Sequence, residues 1–292
     1  IQNNNTMIHL LRIYNKNFWK SIFGPLITFL LPITFIWLIV SIYTFTYNYN
    51  PISLSSATIP TVIFTCSYII LLILLPQAIF EIKDSILIKQ LKTSSIKLWH
   101  VLLVGWIYYS CMAVIAFFLS IISSIITPEK FVIEQTLKMY SQTNWWILLF
   151  VLFLNICMGG SFGTMIASVL KRSSTINMIG VSVIFLSLLL GGLMVPIMIA
   201  SEQLPVVWYA SYFDFIRYGT TQAYEALYSV PSKFNVFGSN MFDVSTPYEA
   251  FATDLVPIKF TILREHDKIL NLSIPYLSTI VFTLVSVKTF KI

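Results

Sequence analysis

The sequence contains unusually few charged residues. Only 10% of its 292 residues are charged, whereas soluble globular domains average about 25%. Residues 21–80 contain no charged side chain, and neither do residues 101–126. Since about 20 helical residues cross the hydrocarbon of a bilayer, uncharged apolar runs of this length indicate an integral membrane protein.

The sequence also lacks the motifs by which a membrane protein would supply its own energy or chemistry. It contains no GxxxxGK[ST] phosphate loop and no HExxH zinc motif. The expected spans hold almost no ionisable side chain, so they lack the residues that form ion or proton relays in membrane transporters. The three cysteines lie in separate apolar runs, as packing thiols do. We therefore expect no catalytic residue, metal site or cofactor in this chain, and no nucleic-acid partner.

The apolar runs predict an all-α integral membrane protein with six transmembrane helices. Pro32 and Pro76 fall inside the first two spans, and we expect a kink in the helix at each. The whole of 1–292 is expected to be a single membrane domain. The six expected spans are 22–43, 57–80, 99–126, 145–170, 174–199 and 269–287.

The distribution of basic residues orients the chain. If the N-terminus is cytoplasmic, eleven of the eighteen basic residues fall on the cytoplasmic side, against two of the twelve acidic residues. This asymmetry follows the positive-inside rule. We expect a multi-pass protein of the cell membrane, plasma or inner, with both termini in the cytoplasm.

Residues 7–20 predict an amphipathic helix before the first span. Arg12, Lys16 and Lys20 recur at four-residue spacing, and Leu11, Tyr14 and Phe18 fill the opposite stripe. Such a helix lies in the headgroup region with its cations towards anionic lipid. A plain set of cytoplasmic cations flanking the span is the alternative interpretation.

Residues 200–268 are the exception in composition, because they hold thirteen of the thirty charged residues. The aromatic-rich first part predicts an extracytoplasmic re-entrant region, since aromatic rings suit the headgroup depth. Residues 229–268 have the composition of an extracytoplasmic insertion.

Two local patterns remain. Gly159, Gly163 and Ala167 form a small-xxx-small ridge that permits close helix packing, within one chain or at a dimer seam. Residues 81–98 form a charged, mostly basic segment between two uncharged runs. A solvated loop explains its lysines but not the acidic residues and leucine spacing within it.

The charged segment resembles a cytoplasmic segment found in the permease subunits of type-2 ATP-binding-cassette exporters. That family reads loosely Glu-Arg-Glu-x-Gly-Thr-Leu, then Leu, then Ser/Thr-Pro. Ser85 and Ser94 stand where the family has Gly and Pro, so the match is partial. The matching residues are Glu81, Lys83, Asp84, Leu87, Leu91 and Thr93.

A second family signature follows the fifth span. It reads small-Gly, a hydrophobic pair, Pro, Leu-Pro, Trp, and then Asn-Pro with an aromatic residue. Asp214-Phe215 stands where Asn-Pro is expected, which is a departure. The matching residues are Gly192, Pro196, Leu204, Pro205 and Trp208.

The resemblance implies a mechanism. The permease would pair with a second copy or a paralogue in the bilayer and form the translocation path between the two. Cytoplasmic ABC ATPase subunits, carrying ATP and Mg, would bind the segment at 81–98. The substrate class stays open among peptides, lipids, drugs and glycan carriers. The alternatives are an ATP-independent secondary transporter or channel-like protein, and an integral-membrane enzyme.

Topology gives a first test. In a chain without native cysteines, single cysteines at Ser53 and Gly238 should react with an impermeant thiol reagent added outside. Cysteines at Ser94 and Ser173 should react only after the membrane is permeabilised, because the basic residues hold those loops in the cytoplasm. The reverse labelling pattern would overturn the orientation.

Overall fold

A computed structural model of the protein describes residues 2–46, 51–84, 98–126, 136–137, 140–141, 143–191, 205–228 and 265–290. These residues are almost entirely helical and contain no strand. The helices are α1 (Gln2–Lys20), α2 (Phe23–Pro25), α3 (Leu31–Thr46), α4 (Pro51–Ile69), α5 (Leu75–Asp84), α6 (Leu98–Ile125), α7 (Trp145–Val169), α8 (Ser173–Leu190), α9 (Pro205–Ser211), α10 (Phe215–Tyr228) and α11 (Glu265–Thr289).

Five helical segments are long and apolar enough to cross a membrane, so the prediction of an all-helical multi-pass membrane protein is confirmed. The predicted sixth span falls in α11, whose apolar part, Ser273–Thr289, is shorter. The number of crossings therefore stays a prediction. The five segments are Phe23–Ser41, Thr61–Asp84, Trp99–Ile125, Trp145–Val169 and Ser173–Leu190.

Two π-helical segments interrupt the first two spans just before prolines. Leu26–Leu30 ends two residues before Pro32, and Ile70–Leu74 ends two residues before Pro76. A proline has no N–H, and its ring clashes with the carbonyl four residues earlier in an α-helix. A π-turn is wider than an α-turn, so it moves the clashing carbonyl away from the proline ring while the helix continues. The structure thus has a π-turn before each proline, and the kinks expected there stay a prediction.

The second span is the centre of the bundle, and α8 lies at its edge. Within the chain, 89% of the apolar window of Thr61–Asp84 is buried, against 22% for Ser173–Leu190. Apolar side chains that the chain leaves exposed on α8 face lipid or another protein, because the bilayer is itself an apolar surrounding.

The small-residue ridge on α7 packs against the second span. A side chain at Gly159 would meet Tyr68 and Leu71, and one at Gly163 would overlap the Leu71 carbonyl. The other side of α7 packs on α11, where the rings of Phe162 and Phe282 lie 5.0 Å apart. Gly159 and Gly163 therefore serve contacts within one chain.

Helix α1 lies on the start of α6 with its basic residues outward. Tyr14 and Phe18 are buried, and the Tyr14 hydroxyl donates a 2.9 Å hydrogen bond to the Val101 carbonyl. Leu11 is 37% exposed, whereas Leu10 is fully buried. The predicted apolar stripe is therefore correct at Tyr14 and Phe18 and wrong at Leu11, because the face that meets α6 runs through residues 10, 14 and 18. Arg12, Lys16 and Lys20 are all exposed.

The contact of α7 with the second span predicts a strong effect of size at one position. Gly163→Leu should lower the midpoint of thermal unfolding in detergent and destabilise the fold by about 1–3 kcal/mol, because overpacking forces the two backbones apart. Val169→Leu is the matched control, since Val169 is half exposed on the same helix. Equal midpoints for both variants would contradict the close contact.

Candidate functional site

The start of α10 carries a buried carboxylate that joins two helices. Asp214 lies one residue before α10, where its Oδ1 accepts a 3.3 Å hydrogen bond from the Ile216 N–H. Side chains of this kind cap helices because the first N–H groups lack partners within the helix. The same Oδ1 accepts a 2.5 Å hydrogen bond from the Ser187 hydroxyl of α8. Asp214 therefore fastens the start of α10 to α8.

A buried cation lies three residues further on. The Arg217 guanidinium lies over two rings that stand at 76° to each other, with its central carbon 3.5 Å from the centroid of Tyr212 and 4.1 Å from that of Trp208. Its Nη1 donates a 3.4 Å hydrogen bond to the Trp208 carbonyl. The Nε and Nη2 of Arg217 and the Oδ2 of Asp214 have no hydrogen-bond partner, although they are buried.

Burial disfavours both charges. It raises the pKa of Asp214 to about 6, although Ser187, the backbone N–H groups of α10 and the Arg217 charge partly offset the effect. Burial lowers the pKa of Arg217 to about 10, partly offset by the nearby Tyr218 and Asp214. Both groups lie outside the five spanning segments. At neutral pH they form an oppositely charged pair in the interior of the chain.

A polar contact deeper in the bundle positions α10. The Tyr68 hydroxyl donates a 2.6 Å hydrogen bond to Asn155 Oδ1, and Asn155 Nδ2 donates a 2.7 Å hydrogen bond to the Val151 carbonyl. Gly219 passes directly beside the Asn155 amide, where a side chain carbon would lie 2.6 Å from Oδ1. Only a glycine allows α10 to approach α7 this closely.

The other candidate region lies at the end of the second span. The Lys83 ammonium lies 3.4 Å from both the Ala167 and Ser168 carbonyls, in the last turn of α7. It also lies 5.6 Å from the centre of the Phe290 ring, which follows α11. A cation here complements the negative end of the α7 dipole. Lys83 therefore joins the ends of three helices.

The remaining residues of the charged segment divide into two groups. Glu81 and Asp84 are exposed, and Glu81 accepts a long 3.5 Å contact from Gln77. Leu87, Leu91 and Thr93 lie outside the described residues, as do Gly192, Pro196 and Leu204 of the second motif.

The structure brings one predicted residue to a partner that the sequence analysis missed. Pro205 opens α9, and Trp208 in the same helix stacks on Arg217. Asp214 entered the analysis only as a departure from a motif, and Arg217 did not enter it. The available signal was the pair of opposite charges three residues apart in an aromatic-rich stretch.

One motif match also escaped the sequence analysis. Residues 159–163 read Gly-Gly-Ser-Phe-Gly, which fits the GxSxG pattern of serine hydrolases. That pattern acts at a sharp turn between a strand and a helix, whereas Ser161 lies inside α7 and donates to the Met158 carbonyl at 2.9 Å. The match therefore has the wrong local structure for a nucleophile.

The comparisons with known proteins do not assign a family. No protein-family model, no curated protein and no solved structure matches the chain. Its function is therefore argued from its own residues.

The contact between Tyr68 and Asn155 predicts a stability cost. Tyr68→Phe should destabilise the protein by about 1–3 kcal/mol, because it leaves a buried amide oxygen of Asn155 without this donor. Thermal unfolding of the purified protein in detergent measures the change. Tyr209→Phe is the control, since Tyr209 is 60% exposed and should tolerate the loss of its hydroxyl. A Tyr68→Phe variant as stable as the control would contradict the role of this bond.

Proposed function

We propose that the chain is the membrane-spanning permease subunit of an ATP-driven exporter. It would form the translocation path with a second permease, identical or related, and take its energy from separate cytoplasmic ATPase subunits. ATP and Mg would be held by those subunits. The observation that carries the proposal is the position of Lys83 at the meeting point of α5, α7 and α11.

The position of Lys83 would suit a residue that transmits movement. An ATPase that pushes on the charged segment moves the end of α5, which leads directly into that segment. The contacts of Lys83 would carry the displacement to the last turn of α7 and the end of α11. Energy from another chain could thus reach several helices at once.

The cytoplasmic side is proposed from the charges gathered at one end of the bundle. Glu81, Lys83 and Asp84 end the second span, and Lys171 with Arg172 follows α7 at the same end. Helix α1 packs on the start of α6, at Val101, and turns its own basic stripe outward. A cytoplasmic leaflet rich in anionic lipid would attract such a surface.

Helices α9 and α10 are proposed to form a re-entrant hairpin on the opposite side. The Asn144 N–H, just before α7, donates a 2.9 Å hydrogen bond to the Ala226 carbonyl near the end of α10. Gly219, earlier in α10, lies beside Asn155, ten residues into α7. Ten helical residues rise about 15 Å. Helix α10 would thus begin within the bundle and run outward.

The partner permease is proposed to lie against α8. This helix buries little of itself in the chain and exposes large apolar side chains, among them Met178, Val181 and Phe185. A path lined by helices from two copies would be wider than one enclosed by the helices of a single copy. The cell membrane is the proposed location, with both termini in the cytoplasm.

A second candidate function rests on the buried charges. Asp214 and Arg217 are buried ionisable groups of the proposed re-entrant hairpin, and they lie outside the five spanning segments. Buried ionisable groups at membrane depth often serve ion or proton pathways. An ATP-independent secondary transporter is therefore the alternative, and it would move substrate in vesicles that contain this chain alone.

The coupling proposal predicts a separation of assembly from activity. Glu81→Ala and Leu87→Asp should each lower the substrate-stimulated ATP hydrolysis of the assembled complex several-fold, because the ATPase would lose its contact with the segment. Neither variant should change the amount of chain in the membrane. ATP hydrolysis by the copurified complex in lipid vesicles measures the effect.

Lys171→Ala is the matched control, since Lys171 is an exposed charge at the same end and outside the segment. Normal stimulated hydrolysis in both segment variants would refute coupling through 81–98. Copurification of no ATPase, together with transport by the chain alone, would support the secondary transporter instead.

A further inference from the structure

We propose that Asp214 is a proton-binding site that switches the charge of the junction between α8 and α10. The inference concerns the chain itself and goes beyond the proposed function, because it requires neither an ATPase nor a substrate. It rests on the geometry of the carboxylate, on the charge of Arg217 and on the burial of both.

The two oxygens of Asp214 have different surroundings. Oδ1 accepts hydrogen bonds from the Ser187 hydroxyl and the Ile216 N–H, both of which favour the charged carboxylate. Oδ2 is buried and has no hydrogen-bond partner. It lies against Gly191, at the C-terminal end of α8, next to the Ser187 carbonyl. Oδ2 is therefore the oxygen that would take the proton.

The helix ends around Asp214 oppose each other. The start of α10 favours a negative charge, and the end of α8 disfavours one, because the two helix dipoles present opposite ends to the carboxylate. A protonated Oδ2 would remove the unfavourable contact and provide an O–H donor close to the last-turn carbonyls of α8. The N-cap bonds through Oδ1 would remain available.

Among the described residues at this junction, Asp214 is the group whose charge changes near neutral pH. Those that act on it electrostatically are Arg217 and Tyr218 of α10 and Tyr68 of α4. The contacts from α8 come from Ser187 and Gly191, which do not titrate. Phenols stay neutral and guanidinium stays charged around pH 7. Proton binding therefore changes a buried site with two opposite charges into one with a single net positive charge.

The linkage to stability has a definite sign. Burial raises the pKa of Asp214 from 3.8 to about 6, so the folded protein holds this proton more tightly than the unfolded chain does. Stability contributed by the proton is fully present below pH 3.8 and is lost as the pH rises through about 6. The wild type should gain stability relative to Asp214→Asn as the pH falls through this range.

Infrared titration of the full chain in lipid vesicles tests the proposal directly. The wild type should show a protonated-carboxyl band that appears with a midpoint near pH 6. Asp214→Asn should lack the component of the band with this midpoint, since it keeps the size and the Oδ1 acceptor but cannot titrate. Glu81→Gln is the matched control and should retain it, because Glu81 lies near the end of α5 and is not among the groups that act on Asp214.

Ser187→Ala provides a second test that does not depend on replacing the carboxylate. It removes one hydrogen bond to the charged form, so the midpoint should move up by about one pH unit. A protonated-carboxyl component that still appears with a midpoint near pH 6 in Asp214→Asn would overturn the proposal. A wild-type midpoint below pH 5, or an unchanged midpoint in Ser187→Ala, would do the same.

Discussion

Hydrocarbon offers no hydrogen bonds, and this constraint explains most of what the structure does with its polar groups. A polar side chain in the bundle therefore gains most from a partner in the chain itself, although some buried atoms, such as Thr28 Oγ1 and Ser110 Oγ, have none. Many hydroxyls donate to the carbonyl four residues earlier in their own helix, as Thr65 does to Thr61 and Ser120 to Ala116. Prolines meet the same constraint through a π-turn, which keeps the helix continuous while accommodating a residue without an N–H.

The charged residues follow a different rule, because a hydroxyl can be satisfied locally and a charge cannot. Most of the described charged side chains lie at the ends of helices or on the outward face of α1. Asp214 and Arg217 are the exception, since both are buried near the meeting point of α8, α9 and α10. Stacking on Trp208 and Tyr212 partly replaces the water that the guanidinium has lost. The cost of burying such a pair is a physical reason to expect a functional role for it.

The sequence alone was enough to predict the class of protein and the positions of five apolar helices long enough to cross a membrane. Length and apolarity decide whether a helix can cross a bilayer, and both can be counted along the chain. Pro32 and Pro76 also marked the two spans in which the helix departs from α-geometry, at the π-turns before them. In α1 the apolar stripe was misassigned only at Leu11, because Leu10 and Leu11 are equally apolar and only the contact with α6 selects Leu10.

The candidate site was much less predictable. Asp214 and Ser187 lie 27 residues apart and meet only because α10 returns to α8. Lys83 and Ser168 are joined across 85 residues in the same way. Periodicity describes one helix at a time, so it could place each of these residues on a helix but not beside its partner. The motif identified Trp208 but did not identify Arg217, the cation that lies over its ring.

The π-turn at Ile70–Leu74 has a further consequence for everything that follows it in the second span. Such a turn holds one residue more than an α-turn, and one residue corresponds to a rotation of about 100° around a helix axis. The face that α5 presents to its neighbours is therefore set upstream, beside Pro76. Lys83 points at the end of α7 in this angular register. Shortening the turn by one residue would swing the lysine around the helix without altering any residue near it.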